Sequence, residues 1–216
     1  MQTYVVRVWL PDRPGALGQV ASRIGAVQGD VIGIDILERG GGKVIDELVV
    51  ALPAECGVDL LVAEMSQVDG VAVEDVQAVA ADRPDPGLAA LEVAAQVAEA
   101  GAADRLRVLC VGVGELVEAD WTVVLDLDQG AAVEVAGGAG PDIAWLTAFI
   151  AGSQHLAGSL PAESTPSDLA WGRIVSVGCA VAAGRRARPF HRREREQVDQ
   201  LCRLGSALIG VQPAVR

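Results

Sequence analysis

Tyr4-Val5-Val6-Arg7-Val8-Trp9-Leu10-Pro11-Asp12-Arg13-Pro14-Gly15-Ala16-Leu17 is the stretch on which the fold turns. Tyr4, Val6, Val8 and Leu10 alternate with Val5, Arg7 and Trp9, the two-residue period of a β-strand. Two prolines and a glycine between residues 11 and 15 end that strand. Leu17, Val20, Ile24 and Val27 then recur at helical spacing until Gly29-Asp30 closes the helix. Working outward, residues 31–38 read as a second strand with Ile32, Ile34 and Ile36 on one face, and Arg39-Gly40-Gly41-Gly42-Lys43 as a hairpin turn. A third strand runs over about 44–52. Val58, Leu61, Val62, Met65 and Val68 mark a second amphipathic helix that stops at Asp69-Gly70, and 71–79 supply a fourth strand. Strand, helix, strand, strand, helix, strand is the split βαβ order of a ferredoxin-like sandwich, an α+β fold.

Asp82-Arg83-Pro84-Asp85-Pro86-Gly87 carries two prolines and a glycine in six residues and reads as a linker. The expected organisation is a first domain over 1–82, a linker over 83–87 and a second α+β domain over 88–216. In that second half, 88–100 is Ala-rich and helical, with Leu91, Ala95 and Ala98 on one side. Residues 121–127 and 131–136 read as two strands joined through Asp128-Gln129-Gly130. The segment 142–150 fits a helix or a buried stretch, 159–167 a loop, and 174–183 one buried strand. A final helix over 194–209 places Val198, Leu201, Leu204 and Leu208 on one stripe.

The 216 residues are 51% hydrophobic but only 3% aromatic, so the core is built from small aliphatic side chains. A net charge of −12 argues against wrapping nucleic acid or docking on an anionic bilayer. Residues 185–216 reverse the balance with eight basic and three acidic groups. Arg185, Arg186, Arg188, His191, Arg192, Arg193 and Arg195 form the one basic cluster. It is read as a solvated helix start with Glu194 and Glu196 as local partners. No recognition helix flanks it, so specific DNA binding is not expected. Cys56, Cys110, Cys179 and Cys202 stand far apart, without a CxxC and with only His155 and His191 as further ligands. Buried free thiols in a reducing compartment, with no metal and no cofactor, is the expectation. Neither a signal-peptide pattern at the amino terminus nor an apolar run of about 18 residues is present, which points to a cytoplasmic protein without a membrane span.

The loop Asp12-Arg13-Pro14-Gly15-Ala16-Leu17 carries the chemistry. With Pro14 in the first helical turn and Gly15 leaving room at the backbone, the amides of residues 15–17 point out of the helix start, where the macrodipole favours an anion. Asp12 is placed to cap the helix or to accept from an ammonium group. Donors for a carboxylate beside an acceptor for an amine suit a free amino acid; an ordinary N-cap is the alternative reading of the same residues.

A D-R-P-G-x-L loop between a strand and an amphipathic helix, inside a βαββαβ unit, resembles the ACT domain, a regulatory module of amino-acid metabolism. The resemblance covers residues 3 to about 80. It implies a non-catalytic unit that pairs with another copy, often into a continuous eight-stranded sheet, and that binds a small effector between the copies. In that arrangement the loop Asp12, Arg13, Pro14, Gly15, Ala16 and Leu17 meets Asp30, Val31, Ile32, Gly33 and Ile34 of the partner copy. Gly33 fits a place where a ligand needs room, or a bulge. The implied partners are a small-molecule effector, a second copy of the chain, and a separate enzyme or transcription factor that the unit regulates. A dimerisation scaffold that binds nothing is the rival reading.

The second half resembles a GAF-type sensor domain through residues 174–183, Arg188-Pro189-Phe190 and the helix from Glu194 to Leu201. That resemblance implies a cupped antiparallel sheet able to hold a small ligand. An enzyme would need a nucleophile with a base, or paired carboxylates at a concave site. Asp126 and Asp128 share one strand face at a turn and read as solvated turn carboxylates. Gly152-Ser153-Gln154-His155 does not make a dyad. Gly112-Val113-Gly114 and Gly137-Gly138-Ala139-Gly140 lack a full nucleotide-binding pattern.

Overall fold

The alternating segment that opens the chain becomes β1 (Gln2–Pro11), the inner strand of a four-stranded antiparallel sheet ordered β2-β3-β1-β4. The other strands are β2 (Asp30–Gly40), β3 (Lys43–Leu52) and β4 (Ala72–Val79). Helices α1 (Ala16–Ala26) and α2 (Val58–Met65) follow β1 and β3. In this computed structural model, which describes residues 1–153, 166–186 and 188–210, these elements form one unit, Met1–Arg83, and Pro84–Arg216 form a second. Element order and strand order together are those of a ferredoxin-like α+β sandwich.

Val6, Val8 and Leu10 of β1 and Leu48, Val50 and Leu52 of β3 pack with Val20 and Ile24 of α1 and Leu61 and Met65 of α2. The register explains the match, since Val6 lies opposite Leu48 and Val8 opposite Asp46. Residues directly opposite in an antiparallel pair share a face. On the other face Arg7 and Glu47, also opposite each other, form a buried ion pair at 2.9 Å, with Arg83 at 3.1 Å from the second carboxylate oxygen. The glycine-rich turn joins β2 to β3 with Gly41 and Gly42 both at positive φ, 59° and 75°. Two consecutive left-handed residues match the twist of a tight hairpin, and glycine reaches that conformation without strain.

The second unit has a four-stranded antiparallel sheet ordered β6-β5-β8-β7. Its strands are β5 (Trp121–Asp126), β6 (Ala131–Gly137), β7 (Leu169–Ile174) and β8 (Cys179–Gly184). Helices α3 (Pro86–Glu99), α4 (Arg105–Leu116), α5 (Ile143–Ser153) and α6 (Arg192–Ile209) complete it. Val97, Val113, Val198 and Cys202 from α3, α4 and α6 fill one face against Val124 and Val181. Leu146 and Ile150 of α5 fill the opposite face against Val123, Leu125 and Ala182. α3 starts at Pro86 because Asp85 accepts from the amides of Gly87 and Leu88, with proline at a position that needs no N–H.

Two readings of this half are corrected and one helix is added. The single strand over 174–183 is two strands separated by a short 3-10 turn, Val175–Val177, and Gly178 at φ 66°. The helix α4 was not foreseen, because its valines and glycines are weak helix formers. It is held by burial of Leu109, Cys110 and Val113, and Gly112 is required where a Cβ would stand 2.6 Å from Val93 Cγ1. The basic cluster is not wholly solvated. Arg185, Arg188 and His191 are buried, and Glu194 with them.

Candidate functional site

The end of the first sheet where β1 runs into α1 is shaped by short-range bonds. The Asp12 amide donates to Gly42 O at 2.9 Å, Arg13 N to Pro11 O at 2.8 Å, and Ala16 N to Arg13 O at 3.3 Å. Gly15 is the N-cap of α1 at φ 86°, so Pro14 precedes the helix instead of opening it. A Cβ at Gly15 would meet nothing within 4 Å. The glycine serves the left-handed backbone, not the close approach of another atom. Asp12 makes no capping bond to α1. Of the three amides expected to be unpaired, that of Ala16 is used, while those of Gly15 and Leu17 meet no acceptor among the described residues.

Beneath the loop lies a cavity of about 110 Å³. Asp12, Arg13, Ala16 and Leu17 line it from the loop and α1, Ile36 and Arg39 from β2, and Val44 and Asp46 from β3. Arg39 Nε stands 3.7 Å from Asp12 Oδ1, an ion pair at the rim with both side chains more than a third exposed. Asp46 is of a different kind. It is 3% exposed, and its Oδ1 has no hydrogen-bond donor among the described residues. Burial pushes its carboxyl pKa up, opposed by the positive charge of Arg39. The cavity therefore joins two carboxylates, two guanidinium groups and the amino end of a helix over an apolar floor.

Asp12, Arg13, Ala16 and Leu17 come together in this cavity as lining. Asp30, Val31, Ile32, Gly33 and Ile34 do not reach it within one chain. Asp30 pairs with Ala51, whereas Gly40 pairs with Lys43 beside the loop, so Asp30 lies at the far end of β2, roughly 30 Å from Gly40 by strand rise, and Ile34 stops two residues short of Ile36. β2 is the sheet edge, and Ile32, Ile34 and Ile36 are 53%, 49% and 48% exposed along it. The pairing with β3 shifts between Val31 and Gly33, and a Cβ at Gly33 would press to 3.1 Å from Val49 Cγ2. A bulge and close packing on Val49 account for that glycine without a ligand.

Ile36, Arg39 and Asp46 were missed by sequence reasoning. The signal for Asp46 was present: a carboxylate in the apolar alternation Val44, Leu48, Val50, on the face that packs against the helices. Elsewhere, Asp126 Oδ1 accepts from the amides of Asp128 and Gln129 and so holds its own turn. No group of three or more metal-ligating side chains occurs among the described residues. Ser153 is described but His155 lies outside the described residues. Gly112 and Gly114 sit inside α4, and Gly137 at φ 78° ends β6. No helix among the described residues is long and apolar enough to cross a membrane.

No protein-family model matches the chain and no curated protein matches it. Several solved structures resemble part of it, three of which follow. A protein of unknown function from Galdieria sulphuraria aligns at 20% identity with a TM-score of 0.33, over 44% of this chain and 64% of that one. The C-terminal domain of the MgtC protein from Mycobacterium tuberculosis aligns at 21% and 0.32, over 39% and 95%. An ACT domain protein from Streptococcus pneumoniae aligns at 16% and 0.31, over 36% and 89%. Similarity at this level covers less than half of the chain and leaves its role to be argued from the site.

Proposed function

We propose that the chain is a non-catalytic regulatory protein that binds a small effector, an amino acid, at the β1–α1 end of its first sheet in a homodimer. The observation that supports this reading is the cavity under the Asp12-to-Leu17 loop. It presents unpaired amides and guanidinium groups for a carboxylate, and Asp12 and Asp46 for an ammonium group. Edge strand β2, with its three half-exposed isoleucines, is the surface on which a second copy adds. Antiparallel pairing of β2 with its symmetry mate sets Asp30 to Ile34 of one copy beside Ile36 to Arg39 of the other. The start of the partner's β2 then flanks the cavity. A ligand held there interacts differently with paired and separated copies, which is the condition for it to regulate a separate enzyme or transcription factor.

Calorimetry against the twenty amino acids, with light scattering before and after addition of any ligand found, tests the reading. Binding below millimolar by a particle of about twice 22.3 kDa is expected. A monomer, or no binding, leaves the reading without its basis; a dimer that binds nothing favours a ligand-free scaffold.

A further inference from the structure

We infer that Asp46, and not Asp12, receives the ammonium group of the bound amino acid. The inference rests on the amino-acid reading above and deepens it. Asp12 already faces Arg39 across 3.7 Å at the rim and is more than a third exposed. Asp46 is 3% exposed, lines the cavity from β3, and has an oxygen with no donor among the described residues. A buried acceptor without a partner is rare in folded proteins, and each instance calls for an explanation. Oδ1 itself is sealed, but Oδ2 also has no donor among the described residues and is the oxygen an ammonium group in the cavity reaches.

The other side of the cavity accepts the other end of the molecule. The first turn of α1 has the Gly15 and Leu17 amides unpaired among the described residues, and Arg13 and Arg39 flank it. Amides and dipole at a helix start favour a carboxylate. Carboxylate at α1 and ammonium at Asp46 define a zwitterion bridging helix and sheet. Leu17, Ile36 and Val44 give a side chain an apolar neighbour.

The test uses the full chain and, as probes, the twenty amino acids and methylammonium, titrated into wild type, Asp46→Asn and Asp12→Asn. Asparagine keeps the shape of Asp46 and is neutral, so that variant should melt no lower than wild type; this serves as the folding control. The expected result is that the best amino acid loses about 10- to 100-fold in affinity on Asp46→Asn, the range for a hydrogen bond to a charged group, and less on Asp12→Asn. Amino-acid binding that survives Asp46→Asn unchanged overturns the inference and leaves the amino-acid reading standing. Methylammonium binding that depends on Asp46, with no amino acid bound, upholds the role of Asp46 and overturns the amino-acid reading. If no probe binds, both fall and the cavity holds water only.

Discussion

Replacing Arg185 with Met removes the most heavily used side chain of the second unit. Its Nε donates to Arg188 O at 3.0 Å, its Nη1 to Val117 O at 2.7 Å, and its Nη2 to Pro189 O at 2.7 Å and to both oxygens of Glu194 at 2.7 and 2.9 Å. The guanidinium also lies 4.0 Å from the centre of the Phe190 ring. Arg185 is 3% exposed and Glu194 is 6% exposed. Without the arginine, Glu194 keeps the His191 amide at 2.9 Å but loses both hydrogen bonds from the Arg185 guanidinium, and three carbonyls lose a donor. Breaking a buried ion pair from one side costs about 3–5 kcal/mol. That is a loss of about two to three and a half decades in the folding constant at about 1.4 kcal/mol per decade. Arg186→Met is the comparison, since the Arg186 side chain is 91% exposed and pairs with Asp120 at 3.5 Å; surface pairs of this kind contribute about 0–1 kcal/mol. Urea unfolding followed by tryptophan fluorescence reports on the unit through Trp121, Trp145 and Trp171. A loss below about 1 kcal/mol for Arg185→Met, or equal losses for the two variants, would refute the reasoning.

Further outcomes follow from the same structure. Gly184→Ala should lower stability by about 1–3 kcal/mol in thermal denaturation, because a Cβ there would stand 2.2 Å from Trp121 Cζ2 and the indole must move; an unchanged melting temperature contradicts the packing. Burial raises the Cys110 thiol to about 11 and the Cys202 thiol to about 12 and shields both, so iodoacetamide at about pH 8 should label partly exposed Cys56 first in the native protein. Equal labelling of Cys202, read by peptide mass spectrometry, would count against this. Asp46 holds its proton more tightly in the folded chain than the ordinary value of 3.8 allows. Its stabilisation is complete below that value and is lost as pH rises through the folded one. The melting temperature of Asp46→Asn relative to wild type should therefore rise as pH is raised above the ordinary value of 3.8, and a flat or falling difference excludes the burial argument.

Periodicity made the first unit legible. The alternation in β1, the helical spacing of Leu17, Val20 and Ile24, and the glycine run before Lys43 are local signals, and each element they indicate occurs where those signals stand. The second unit hid more because its elements are stabilised by what they pack against. α4 contradicts its own helix propensity and survives by burying Leu109, Cys110 and Val113. The small residues of β8 suit a strand buried on both faces, with Gly184 cleared for Trp121. The arginines after it read as surface charge until Glu194, three carbonyls and a phenylalanine ring enclose one of them.

The candidate site divides in the same way. Sequence alone placed the loop from Asp12 to Leu17, since prolines and a glycine between a strand and a helix constrain the backbone wherever they occur. It did not decide which carboxylate is spoken for and which is buried without a partner. That depends on Arg39 coming alongside Asp12, and on Asp46 facing the helices from a strand paired to β1 across more than thirty residues of chain. Hydrogen-bond satisfaction is a property of neighbours in space: the alternation of β3 marks Asp46 as facing the core, but only the tertiary structure shows it without a donor among the described residues.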